Sequence, residues 1–227
     1  MARKHGRLLF ISFSFKNNGE TVMFGEVGLF YLLKHYSFST ILNIGCGDGE
    51  HSNIFKQYNK IVTNIDLGDS YYSKQNTDTF IIGDYLSTSF KNQFDCIWAC
   101  HVLEHQVNPN LFLKKIYSDL KENGILAITV PPLKHNIVGG HVSLWNAGLL
   151  LYHLILAGFN CINASIKQYD YNITIILQKQ SITLPKLTCD CGDINTLRFY
   201  FPYLLQTQFD RGLERFDGNI KQLNWRE

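Results

Sequence analysis

A chain of 227 residues, 45% of them hydrophobic, is long enough to bury a full core and fits one domain with an added segment better than two domains. Its formal charge of +2, with no dense basic cluster, argues against nucleic acid or an anionic membrane as partner and leaves a small-molecule or carbohydrate substrate as the expectation. The longest apolar segment, Leu144 to Gly158, is interrupted by Asn146 and His153 and is too short for a membrane span.

The N-terminus has a basic start, Met1 to Arg7, and an apolar stretch, Leu8 to Phe15. That stretch is short and runs into Lys16-Asn17-Asn18-Gly19-Glu20 with no small-residue cleavage site, so it reads as an arm or edge strand rather than a signal peptide. Helical spacing of Val27, Phe30, Tyr31 and Leu33 predicts a helix over 25–36, with Phe30 and Tyr31 as core or lid residues.

Ile41-Leu42-Asn43-Ile44 then predicts a buried strand that breaks into Gly45-Cys46-Gly47-Asp48-Gly49 before a helix from Glu50 to Tyr58. Glycines at alternate positions suit positive φ and a ligand lying against the backbone, and the helix start favours an anionic group. In the dinucleotide fingerprint the third glycine would fall on Glu50, whose charge would repel a pyrophosphate, so a less charged nucleotide-like ligand is expected. The next strand, Ile61 to Ile65, closes on Asp66, placed to accept both hydroxyls of an unphosphorylated ribose.

Gly68 to Asn76 is polar and predicts a loop, and Phe80-Ile81-Ile82 a third strand ending in Gly83-Asp84. A fourth strand, Phe94 to Cys100, leads into His101-Val102-Leu103-Glu104-His105, at the strand end where open α/β sheets bind ligands. His101 and His105 share a helical face with Glu104 beside them, but no strong third ligand is near, so no metal is expected. A helix over 110–121 is stopped by Asn123-Gly124, and Ile125 to Val130 forms a fifth strand ended by Pro131-Pro132.

After it come Leu133 to Trp145, where Gly139-Gly140 beside His141 and Trp145 suggests a hinged loop over a pocket. Leu144 to Phe159 reads as a buried helix, and 160–168 with 171–179 as a hairpin around Tyr169-Asp170. Cys189-Asp190-Cys191 lacks the second pair a zinc ribbon needs, and the other cysteines are scattered, as in a reduced, cytoplasmic protein. The aromatic runs 198–203 and 216–225 suit packing onto the domain, covering the pocket, or a homodimer interface.

Gly45-x-Gly47-x-Gly49, Asp66, the string Val102-Leu103-Glu104-His105, and Leu120-Lys121 followed by Gly124, an apolar strand and Pro131 resemble the class I S-adenosylmethionine-dependent methyltransferases, in their small-molecule, type 11 or UbiE-like branch, over roughly 39–179. The resemblance implies an α/β fold: a Rossmann-like, seven-stranded, mostly parallel sheet with helices on both faces and an antiparallel last strand. It divides the chain into an arm (1–24), a cofactor-binding domain (25–180) and a C-terminal extension packed on it (181–227). For S-adenosylmethionine it implies a site in which Asn43, Gly45, Cys46, Gly47 and Gly49 hold the methionine part, Asp66 with Leu67 the ribose, Asp84 and Tyr85 the adenine, and Cys100 and His101 lie near the reacting methyl. Many members carry an acid where this chain has Asn43; an amide can still orient the loop while losing the charge.

For an oxygen acceptor, His141 or His105 would serve as base, since an imidazole titrates near ~6.5. Glu104 or His135 would orient it, and His135 and Trp145 would line the acceptor site. Either histidine could equally be a loop-fixing residue. The segment Gly140-His141-Val142-x-Leu144-Trp145-Asn146 resembles methyltransferases of bacterial surface-polysaccharide assembly, including those acting on sugars or capsule phosphoramidate groups. The alternatives are a quinone, lipid or other small-metabolite methyltransferase, and a catalytically silent cofactor-binding relative.

Overall fold

A computed structural model describes residues 15–17, 20–68, 79–90, 93–209 and 214–227. The first apolar stretch up to Ser14, and the predicted loop from Asp69 to Asn76, lie outside the described residues. The described residues of the arm form a two-stranded ribbon outside the main sheet, β1 (Phe15–Asn17) antiparallel to β2 (Glu20–Val22). Then follow α1 (Glu26–His35), β3 (Thr40–Ile44), α2 (Glu50–Gln57), β4 (Ile61–Asp66), β5 (Thr79–Ile82) and β6 (Phe94–Cys100). The chain continues through α3 (Pro109–Asp119), β7 (Leu120–Val130), α4 (Ala147–Leu156), β8 (Ser165–Tyr169) and β9 (Asn172–Gln178). The extension adds α5 (Asp193–Thr196), α6 (Tyr203–Phe209) and β10 (Gln222–Leu223).

The main sheet runs β10-β8-β9-β7-β6-β3-β4-β5. Strands β3 to β7 are mutually parallel, and β9 enters antiparallel between β7 and β8. The seven expected strands are there, and β10 of the extension adds an eighth, pairing antiparallel with β8 through Leu223 and Ile166. Alternation along β6 shows why its sequence is apolar almost throughout: Ile97 and Ala99 face the layer of α3 and α4, while Cys96 and Trp98 face α1 and Phe55 of α2. Leu197, Phe201, Leu205 and Phe209 of the extension join the α4 side, with Phe216 edge-on to Phe201 and Phe209, while Trp225 stacks on Tyr31 of the opposite face at 3.8 Å.

Two boundaries differ from expectation. Helix α3 ends at Asp119, before Asn123-Gly124, because Leu120 is drawn into the sheet opposite Phe94 and buried. The buried ammonium of Lys179 donates to the carbonyls of Tyr117 and Leu120 at 2.6 and 2.8 Å, satisfying orphan acceptors of the helix end. Helix α4 starts at Ala147 rather than Leu144, since Asn146 Oδ1 accepts from Leu149 N at 2.8 Å as an N-cap and Trp145 bridges to Pro132.

Candidate active site

At the carboxyl end of β3 the chain turns through Gly45, Gly47 and Gly49 with φ of 68°, 54° and 84°, all left-handed. A Cβ on Gly45 would overlap Val102 Cγ2, whereas one on Gly47 would meet no atom of the described residues within 4 Å apart from its chain neighbours. Gly49 caps α2, so three conformational demands fall on consecutive alternate residues. Across the turn, the carboxylate of Asp66 at the end of β4 accepts from Gly47 N at 2.9 Å and Gly68 N at 3.2 Å. Asp66 thus stands at the rim of the open space over Gly47, with Leu67 exposed beside it.

Asn43 is buried, and its amide donates to Ser52 Oγ at 2.8 Å, which in turn donates to Asn64 Oδ1 at 2.6 Å. It ties β3, α2 and β4 together beneath the turn, so its side chain supports the loop from below instead of reaching a ligand. The Cys46 thiol is pushed up to about 12 by burial and by Asp66, which removes it as a nucleophile.

Asp84 accepts from Leu86 N at 3.1 Å and Ser87 Oγ at 2.8 Å, capping a short 3-10 turn over Tyr85–Ser87. The carboxylate is exposed. The Tyr85 side chain, expected against an adenine, is instead in the core: its ring packs edge-on to Phe112 at 5.3 Å and its hydroxyl donates to the buried Asp119 at 2.8 Å. Capping by Asp84 turns the following side chain inward.

Beyond β6, His101 takes φ of 54°, an unfavourable conformation for a side chain with a Cβ, held by His101 N donating to Thr129 O at 2.9 Å. Its Nε2 donates to Asn172 Oδ1 at 2.9 Å, and its ring lies 4.7 Å from that of Phe24. Asn172 Oδ1 also accepts from Gly25 N at 3.1 Å, where a Cβ on Gly25 would stand 2.6 Å from Cys100 Sγ. Burial and nearby Glu104 push the Cys100 thiol up. His51 completes the anchoring: Trp98 Nε1 donates to its Nδ1 at 3.1 Å, so its Nε2 carries the proton given to Phe24 O at 2.8 Å. Phe24, His51 and Asn172 were not legible as site residues, because each acts through partners far away in sequence.

Glu104 is fully buried, with His101 Nδ1 at 3.2 Å and His105 Nε2 at 3.9 Å from its Oε1. His105 Nδ1 donates to Gly140 O at 2.9 Å, and the rings of His105 and His141 meet edge-on at 4.9 Å. Val142 N and Ser143 N donate to the Glu104 carbonyl at 2.8 and 3.3 Å, so the loop after β7 is pinned onto the turn after β6. Burial holds the His141 imidazole below its ordinary range, with His105 and His101 adding to the effect and Glu104 opposing it. His135 is exposed on the same loop. Trp145, expected over the acceptor, is buried, with its Nε1 donating to Ser143 Oγ at 2.9 Å and its ring edge-on to His153; it secures the loop's base.

Residues 42–128 match the family model described as a methyltransferase domain. Over that stretch the chain is similar to a methyltransferase domain. Its fold is similar to that of 1,6-didemethyltoxoflavin-N1-methyltransferase from Burkholderia thailandensis, solved with 1,6-didemethyltoxoflavin and S-adenosylhomocysteine: TM-score 0.61 and 16% identity over 68% of this chain and 77% of that one. A SAM-dependent methyltransferase from Archaeoglobus fulgidus aligns with TM-score 0.57 and 16% identity, over 68% of this chain and 94% of its own. A TehB-like SAM-dependent methyltransferase from Corynebacterium glutamicum gives 0.54 and 21%, over 70% and 90%. No protein of curated function matches the sequence.

The matched segment includes the glycine turn, Asp66 and the His101–His105 turn but stops before His135, His141 and Trp145. The loop after β7 therefore lies outside the family match. Among the described residues, no helix is long and apolar enough to cross a membrane.

Proposed function

We propose that the protein transfers the methyl group of S-adenosylmethionine to a hydroxyl oxygen of a small carbohydrate acceptor. One observation carries the cofactor reading: three left-handed glycines at the end of β3, with open space over Gly47 and the Asp66 carboxylate across it. A nucleoside with an amino-acid arm fits such a crevice, its arm against the backbone and its ribose on Asp66.

The acceptor oxygen attacks the methyl carbon in line with sulfur. The carbon–sulfur bond breaks, its electron pair stays on sulfur as a neutral thioether, and the hydroxyl proton leaves. Alignment of the three centres supplies much of the rate. Help in losing the proton is needed for a hydroxyl and not for an amine lone pair, and the Glu104–His105–His141 cluster beyond β6 and β7 supports the oxygen reading. The carbohydrate assignment, and with it a place in surface-polysaccharide assembly, is supported by the resemblance of the Gly140 to Asn146 segment.

Calorimetric titration with S-adenosylhomocysteine tests the first part. The wild type is expected to bind and Asp66→Ala to bind roughly 10- to 100-fold more weakly, the worth of hydrogen bonds to a charged group. Absence of binding by the wild type would overturn the reading. Transfer of labelled methyl to a panel of sugars and amines tests the second, and label found on amine nitrogen alone would remove the oxygen acceptor.

A further inference from the structure

Glu104 has 0% of its surface exposed, yet neither carboxylate oxygen receives a well-aligned hydrogen bond. A buried anion in that condition is strongly disfavoured unless a positive charge stands against it. The imidazoles around it do not supply one in their neutral forms. His101 already gives its Nε2 proton to Asn172, which leaves the Nδ1 lone pair facing Glu104 Oε1 at 3.2 Å. Gly140 O can only accept, so His105 holds its proton on Nδ1 and turns the Nε2 lone pair toward Glu104 Oε1 at 3.9 Å. Lone pairs directed at a carboxylate ask for a shared proton or a metal cation, and on the His105 side, at 3.9 Å, the gap is wider than a hydrogen bond.

One donor atom from each of Glu104, His105 and His141 lies within 4.8 Å of the other two. Ligands at about 2.1 Å from a tetrahedral ion stand about 3.4 Å apart, so closing the set takes small side-chain rotations rather than a change of fold. We propose that Glu104, His105 and His141 bind a divalent transition-metal ion of the zinc class. Two imidazoles and a carboxylate are the donor set such ions take when they keep positions open for a substrate. The His105 bond to Gly140 O is the outer hydrogen bond that fixes the tautomer of a metal-binding imidazole. Gly140 has φ of 83°, and a Cβ there would press to 3.2 Å from His105 Nδ1, so the glycine is part of the same arrangement.

The role of the ion rests on the methyltransferase reading; its binding does not. An ion at this place would hold the acceptor oxygen and acidify its hydroxyl, whose proton then leaves to solvent. It would also tie the loop after β7 to the turn after β6, which the bonds from Val142 N and Ser143 N to Glu104 O already bring together.

The test uses the untagged 227-residue chain, stripped with a chelator and titrated calorimetrically with Zn²⁺, with Co²⁺ absorption as a report on coordination. One ion per chain is expected. His141→Ala, which alters a part-exposed loop side chain, and the isosteric Glu104→Gln should each weaken binding about 100-fold or more. The double variant Cys189→Ser/Cys191→Ser should bind as the wild type does. Binding that survives His141→Ala, or that disappears with the cysteines, overturns the proposal. Titrating the metal-free protein with S-adenosylhomocysteine keeps the two readings apart: cofactor binding without metal binding refutes only the metal site, and the converse refutes only the cofactor reading.

Discussion

Replacing Gly45 and Gly47 by alanine should separate a glycine that the fold needs from one that the ligand needs. Both have left-handed φ, 68° and 54°, so each alanine loses about 1–2 kcal/mol of backbone energy. At Gly45 the added Cβ also overlaps Val102 Cγ2, an overpacking worth about 1–3 kcal/mol more. With roughly 2–4 °C of Tm per kcal/mol for a chain of this size, Gly45→Ala should melt on the order of 10 °C lower and Gly47→Ala about 5 °C lower or less. The order reverses for ligand. The Gly47 Cβ has no non-neighbouring atom of the described residues within 4 Å and would project into the space assigned to the cofactor, at a similar ~1–3 kcal/mol, or about 5- to 150-fold in the affinity for S-adenosylhomocysteine. Differential scanning calorimetry and isothermal titration on the two variants measure both quantities. If Gly47→Ala keeps its affinity to within about twofold, the space over Gly47 is not the cofactor's.

Acid should destabilise the protein through His51, whose imidazole burial lowers to about 4 against an ordinary value near 6.5. Between those values the unfolded chain binds a proton that the folded chain excludes, so stability falls as pH drops through this window, by at most about 3 kcal/mol, and levels off below it. Urea midpoints at several pH values should show that slope in the wild type and a shallower one in His51→Gln; equal slopes would refute it. Tyr85→Phe removes one buried hydrogen bond to Asp119 and should lower stability by about 1 kcal/mol while leaving cofactor affinity unchanged. A large loss of affinity in that variant would place the hydroxyl at the cofactor rather than on Asp119. If the cluster carries proton removal from the acceptor, His141→Ala should lower the turnover number about 100-fold or more with little change in affinity for S-adenosylhomocysteine, and an unchanged rate would exclude that histidine.

The parts of the site that the sequence made legible are those whose geometry is set by near neighbours. Gly45, Gly47 and Gly49 and the strand before them specify a turn through their own backbone preferences, and the strand ending at Asp66 brings its carboxylate to the same edge once the two strands pair in parallel. Short apolar runs and helical stripes sufficed to place the strands and helices because each element buries its own faces, while the joining of the strands in one mostly parallel sheet was what the family resemblance implied. Side-chain direction at element ends was less accessible: nothing local says that Asp84 would cap its turn and send Tyr85 inward, or that Trp145 would sit beneath its loop instead of over it.

The fold class, the glycine turn and the acid opposite it were thus determined by the sequence alone, since they depend on backbone conformations that a few adjacent residues impose. Only the tertiary structure decided that His141 stands beside Glu104 and His105, and that Asn172 and His51 hold the His101 and Phe24 end of the crevice. Those meetings depend on β6 and β7 lying side by side with β9 against them, and no pattern within a single segment encodes which loop ends the packed sheet will bring within a few ångströms.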